Sequence, residues 1–235
     1  MELRTWSIAL ASLALTACGG SDVAEAPARD PQAPGATASP GAEVSGPTRH
    51  ILAFGDSLFA GYGIGLENSY PTQLQAALRA QGIDAKIANA AVSGETSGAG
   101  RQRLAFALDG QTVKPDLVLL ELGGNDMLRG LPPEETRANF DAMLAELQKR
   151  DIPVLLMGMR APPNYGAEYQ QAFDSLYSDL AKKYDADLIP FWLESIYLNP
   201  LLFQDDRVHP TREGVAALVK DTVDEVESAL PANES

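Results

Sequence analysis

The chain is poor in the residues that most often announce a chemistry. Its 235 residues include a single cysteine, so no disulfide can close within it. Histidine occurs twice, and no His-Glu-x-x-His segment or cysteine pair offers a metal-ligand spacing. Basic residues are scarce: 18 Lys and Arg stand against 32 Asp and Glu, a net charge of −14. That balance repels phosphate backbones and anionic lipid headgroups, which argues against nucleic-acid binding and against electrostatic docking on a membrane. Phosphate loops are missing as well. No P-loop lysine is present, and Gly61-Tyr62-Gly63-Ile64-Gly65 is followed by Leu66 where a dinucleotide fingerprint needs glycine. A Gly-x-Ser-x-Gly elbow centred on Ser57 would need glycine where Phe59 stands, and no serine has lysine three positions on. What is plentiful is apolar surface. With 45% hydrophobic residues, the chain can build one core of ordinary domain size.

The N-terminus reads as a leader rather than as fold. Arg4 precedes an apolar segment from Trp6 to Leu15, too short to span a bilayer comfortably, so residues 1–17 read as a signal peptide. Leu15-Thr16-Ala17-Cys18 resembles the lipobox of bacterial lipoproteins, which implies lipidation of Cys18 as the mature N-terminus. Gly19 after that cysteine favours, by the same resemblance, sorting to the outer membrane with the domain on its periplasmic face; the alternative is a plain secretory signal and a free periplasmic protein. Residues 18–47 are rich in Pro, Ala, Gly, Ser and Asp, with no aromatic, leucine or isoleucine from Gly19 onward. Such a stretch buries too little to offset chain entropy, so it is expected to be a disordered tether spanning roughly 30 Å.

From Thr48 the pattern becomes strand, helix, strand. Apolar runs at 51–54, 85–90, 117–121, 154–157 and, more weakly, 187–190 predict five strands. Between them Phe140, Met143, Leu144 and Leu147 recur at helical spacing behind Pro132-Pro133-Glu134-Glu135, a favourable helix start. Val215, Leu218, Val219, Thr222 and Val226 form the stripe of a last helix. The expectation is an α/β fold: a three-layer α/β/α sandwich around a five-stranded parallel sheet, within a domain covering 48–232.

In open sheets of this kind ligands bind at the carboxyl ends of strands. The first strand delivers Gly55-Asp56-Ser57 there, and a nucleophilic serine needs a base and an orienting carboxylate. His50 stands at the other end of the same strand, roughly 15–20 Å away, so it cannot serve Ser57. His209 is better placed. In Asp205-Asp206-Arg207-Val208-His209-Pro210 a carboxylate three residues back can fold onto the imidazole, and Pro210 holds His209 extended. Two segments offer donors to an oxyanion: Ala90-Ala91-Val92-Ser93-Gly94-Glu95, through the Gly94 N–H, and Glu121-Leu122-Gly123-Gly124-Asn125-Asp126, through the Asn125 amide.

Gly55-Asp56-Ser57, Gly94, Gly124-Asn125-Asp126 and Asp206-x-x-His209 resemble, in order, the four blocks of the SGNH/GDSL hydrolases. The likeness covers the chain from Thr48 to about Leu230. It is greatest to the thioesterase I/lysophospholipase L1/arylesterase branch around Asp56–Tyr62, Leu122–Gly130 and Pro163-Asn164-Tyr165-Gly166. The resemblance implies a flavodoxin-like SGNH fold and a serine esterase working through an acyl-enzyme. Ser57 would be nucleophile, His209 general base then acid, and Asp206 its orienter. The oxyanion hole would be the N–H of Ser57, the N–H of Gly94 and the side chain of Asn125. No cofactor or metal is implied. Segments 59–65, 127–131 and 162–165 would line the site, with Phe59, Tyr62, Met127 and Tyr165 as candidate substrate contacts. Substrates would be small acyl esters, thioesters or lysophospholipids, and a monomer is expected. A carbohydrate O-deacetylase shares the same blocks, and a non-catalytic acyl-binding lipoprotein is the reading from another class.

Overall fold

The computed structural model describes residues 44–232, so the leader, Cys18 and the expected tether up to residue 43 lie outside the described residues. Five strands run in parallel: β1 Ser45–Phe54, β2 Ile83–Asn89, β3 Leu117–Leu120, β4 Val154–Met157 and β5 Asp187–Ile189, in the order β2-β1-β3-β4-β5. Eight α-helices join them among the described residues: α1 Ser57–Ala60, α2 Tyr70–Ala80, α3 Ser97–Asp109, α4 Gly124–Leu128, α5 Pro133–Lys149, α6 Ala167–Tyr184, α7 Glu194–Tyr197 and α8 Arg212–Ala229. Helices α2 and α8 pack together on one face of the sheet, and α3, α5 and α6 on the other. The result is the three-layer α/β/α sandwich.

Local chemistry accounts for these elements. β3 and β4 are Leu-Val-Leu-Leu and Val-Leu-Leu-Met, buried on both faces as central parallel strands require. α5 opens with Pro133 in its first turn and Glu134 and Glu135 beside it, and buries Phe140, Met143, Leu144 and Leu147. The Thr211 side chain caps α8 by accepting the Gly214 N–H at 3.1 Å. Its buried stripe includes the polar Thr222, whose hydroxyl donates to Leu218 O at 2.7 Å and meets the Tyr70 hydroxyl at 2.6 Å. Burial, with the nearby Glu225 and Asp221 charges, pushes the Tyr70 phenol up, so it stays a neutral partner.

β1 begins earlier than its apolar run suggests. Residues 45–47, expected in the tether, pair with β2 through Ser45 and Ile83, with a bulge before Arg49 and Ala85 resume the ladder. Backbone pairing needs no apolar side chain, and Thr48 adds a hydroxyl donated to Asp84 Oδ2 at 2.6 Å. The start of β1 also meets the end of α8: Arg49 Nη2 donates to Pro231 O at 2.7 Å. Both ends of the described chain therefore sit at the sheet edge opposite Ser57.

Candidate active site

Ser57 is the first residue of α1, three positions beyond the end of β1 in a chain that turns sharply at Gly55-Asp56. Asp56 makes the turn by accepting the Leu58 N–H at 3.0 Å on Oδ1. Ser57 is buried except for the face it turns to a cavity of about 450 Å³.

His209 reaches that serine from the loop before α8. Its Nε2 lies 2.8 Å from Ser57 Oγ, and its Nδ1 lies 2.7 Å from Asp206 Oδ2. The loop is built to hold this pair. Asp206 Oδ1 accepts the backbone N–H groups of Val208 at 2.9 Å and His209 at 3.0 Å. Arg207 absorbs the turn in the left-handed region (φ 60°). Gln204 ties the loop down: its N–H donates to His209 O at 2.8 Å, and its amide donates to Tyr62 O and Pro210 O. The Tyr62 ring lies 4.3 Å from the His209 ring, tilted by 32°. Burial pushes the Asp206 carboxyl up, but the His209 backbone N–H, the His209 ring and the Val208 N–H outweigh it and hold the group at about 2. At neutral pH a carboxylate thus faces Nδ1, which places the imidazole proton there and leaves Nε2 free to accept the serine proton.

Three strand ends bring the remaining groups to the same cavity, which Ser57, Gly94 and Asn125 all line. Gly94 stands in the loop after β2 at φ 80°, a left-handed conformation in which a side chain would be strained. Arg129 clamps this loop by donating to Gly94 O at 2.7 Å. Asn125 is carried by α4, entered through Gly123 at φ 98°, where a Cβ would collide with the Tyr177 hydroxyl. Asp126 beside it is fully buried and accepts the Ser97 N–H at 2.7 Å, pinning the start of α3 and with it the Gly94 loop.

The cavity wall is mainly apolar, with Leu58, Met127, Met159, Phe191, Phe203 and Val208 in it and Arg160 and Arg207 among them. Of the candidate substrate contacts, Tyr62 and Met127 line it and Phe59 and Tyr165 do not. Phe59 is fully buried, stacked on Tyr70 at 5.1 Å and edge-on to Trp192 at 5.5 Å, because one turn of α1 directs it beneath the sheet edge. Tyr165 follows Pro162, which does line the cavity, but packs against Tyr169 at 5.2 Å instead. Beyond segment 162–165, whose Pro162 does line the cavity, the sequence reading missed the wall after β4 and β5, from Met159 to Phe203. Its only signal was position, immediately past two strand ends. His50 lies mid-strand in β1, its N–H donated to Asp116 Oδ2 at 2.7 Å, away from Ser57. Among the described residues no three His, Cys, Asp or Glu side chains gather as a metal set.

Residues 53–217 match the GDSL-like lipase/acylhydrolase family. The chain is 42% identical to an arylesterase of Vibrio mimicus over 163 residues, 69% of this chain and 80% of that protein. It is 39% identical, again over 163 residues, to thioesterase 1/protease 1/lysophospholipase L1 of Escherichia coli, covering 69% of this chain and 76% of that one. Among solved structures, the SGNH-hydrolase family esterase AlinE4 superposes with a TM-score of 0.68 at 58% identity, covering 80% of this chain and all of its own.

Proposed function

The chain belongs to the GDSL-like lipase/acylhydrolase family, and from that premise we propose that it cleaves carboxylic esters or thioesters through an acyl-enzyme on Ser57. The observation that carries this reading is the unbroken chain from Ser57 Oγ through His209 to Asp206, with links of 2.8 and 2.7 Å, at the wall of an apolar cavity. His209 Nε2 takes the proton as Oγ attacks the acyl carbonyl, then returns it to the leaving alcohol or thiol. Asp206 holds the ring in the required tautomer and offsets the imidazolium charge. The N–H groups of Ser57 and Gly94 and the Asn125 amide receive the oxyanion. Water then attacks the acyl-enzyme, His209 again taking a proton and passing it to Ser57 Oγ as the carboxylic acid leaves. The relatives named arylesterase and thioesterase 1/lysophospholipase L1 support small acyl esters, thioesters and lysophospholipids as substrates.

Ser57→Ala tests the reading. It is expected to abolish hydrolysis of p-nitrophenyl esters and labelling by a fluorophosphonate while leaving the thermal midpoint near wild type. Wild-type turnover in that variant would end it. A chain-length series on esters, thioesters and lysophospholipids then fixes the class. Activity that collapses beyond acetate would transfer the proposal to a carbohydrate O-deacetylase, and failure of the wild-type chain to label would leave an acyl-binding protein. We further propose export and lipidation at Cys18, tested by fatty-acid labelling of the expressed chain against Cys18→Ser; equal labelling would exclude it.

A further inference from the structure

Behind Ser57 lies a buried carboxyl that the reaction above does not use. Glu121, the residue after β3, is 0% exposed. Its Oε2 accepts the Asp56 N–H at 3.1 Å, while Oε1 has no partner among the described residues. The approach is close enough to dictate the sequence in front of it. A Cβ on Gly55 would lie 2.7 Å from Glu121 Oε2 and 2.8 Å from Glu121 O, so glycine at 55 makes room for this side chain.

Asp56 is itself 1% exposed, and no cation pairs with either carboxyl among the described residues. Its Oδ1 is held by the Leu58 N–H at 3.0 Å, and its Oδ2 accepts Asn125 Nδ2 at 2.8 Å. Two carboxyls this close and this dry cannot both ionise, so the pair carries one proton. Burial pushes Glu121 well up, and the negative charge of Asp56 pushes it further. Burial also raises Asp56, but the Leu58 N–H, the Glu121 carboxyl, the Asn125 amide and the His209 charge pull the other way. The proton therefore belongs to Glu121.

Where that proton sits decides which way an amide faces. An ionised Asp56 can only accept, so it binds the NH₂ end of Asn125 and rejects the carbonyl end. A protonated Asp56 could donate to Asn125 Oδ1, and the amide would be free to flip. The amide nitrogen has two hydrogens; with one bound to Asp56, the second remains for the cavity that Asn125 lines.

We propose that Glu121 is a positioning residue for the oxyanion donor: by accepting the Asp56 N–H it fixes the Asp56 turn, and so keeps Asn125 gripped by one amide hydrogen with the other presented to the substrate. The inference rests on the ester-cleaving reading and adds a residue to it.

The test compares Glu121→Leu and Glu121→Gln, each alone and combined with Asn125→Ala, on p-nitrophenyl butyrate. Glu121→Leu is expected to lower kcat by about 10- to 100-fold with KM within about twofold, a fraction of the loss from removing an oxyanion donor outright. Glu121→Gln keeps an acceptor for the Asp56 N–H in a side chain of the same size, so kcat is expected within about threefold of wild type. On the Asn125→Ala background Glu121→Leu is expected to change kcat less than about twofold, because the group it positions is gone. Wild-type kcat in Glu121→Leu, or its full loss repeated on Asn125→Ala, would overturn the proposal. Should Glu121→Leu fail to fold, Asp56→Asn replaces it with the same double-variant expectation, since the new amide can donate to Asn125 Oδ1. A wild-type chain no more active than Ser57→Ala would instead sink the ester-cleaving reading on which all of this stands.

Discussion

Two aspartates attend Ser57 from unlike surroundings. Asp206 lies in a surface loop with its side chain 41% exposed, and its hydrogen bonds reach residues no more than three positions away. Asp56 is sealed under the sheet edge, and its partners Asn125 and Glu121 come from the neighbouring β3 end, 69 and 65 residues on. The first is held at about 2 and the second is raised. The same side chain thus supplies two kinds of control. In the loop, local backbone donors hold a charge against the His209 ring. In the interior, burial works against the charge, and what faces it is an amide and a second buried carboxyl. A site can therefore be half written in short-range turn chemistry and half in long-range packing.

The largest effect that would break this contrast is on the loop side. Asp206→Asn keeps the size of the side chain but no longer fixes the proton on His209 Nδ1, and kcat is expected to fall by about 10⁴. Loss of under tenfold in steady-state assays would remove Asp206 from the role of orienter. On the interior side Asn125→Ala is expected to lower kcat by about 10²–10³ with little change in KM. A rise in KM at constant kcat would mean that Asn125 binds the ground state instead.

Smaller, and more diagnostic, are the opposite slopes of stability with pH. Asp206 titrates lower in the folded chain than its ordinary 3.8, so the stability it contributes is present above that value and disappears as pH falls towards about 2. The gap in thermal midpoint between wild type and Asp206→Asn should close over that window. Glu121 titrates well above 4.5 when folded, so the native state favours its acid form and stability is lost as pH rises beyond that value. Glu121→Gln cannot ionise, and its midpoint should gain on wild type as pH is raised. Parallel curves for either pair, recorded by thermal melts across pH, would erase the contrast.

The loop half of the site was legible in the sequence for a physical reason. A carboxylate three residues before an imidazole closes a turn on itself, so Asp206 and His209 could be paired without knowing the fold. Gly94 and Asn125 were legible through their places after consecutive strands, since parallel sheets gather such ends along one edge. The five strands and the stripes of α5 and α8 followed from apolar periodicity. Glu121 was not legible, because its meaning comes from burial against Asp56 and Gly55 across strands, and nothing in Leu-Leu-Glu-Leu-Gly marks it. Phe59 and Tyr165 misled because closeness along the chain to Ser57 or Pro162 does not fix the direction of a side chain; one helical turn sends Phe59 into the core. Outside segment 162–165, the wall from Met159 to Phe203 was silent because apolar residues after a strand look the same whether they meet core or cavity. Residues 45–47 were silent because backbone pairing leaves no side-chain signature.

The contact between Arg49 and Pro231 carries a consequence for handling the molecule. With β1 running from that corner towards Ser57 and α8 running back to it, entrance and exit of the chain share one pole while the cleft opens at the other. Anything joined before residue 44 or after residue 232, whether an anchor, a fusion partner or an affinity tag bound to a surface, grips the domain by its base. The cleft beside Ser57 lies at the far pole, and immobilisation through either end should leave turnover of a small ester intact.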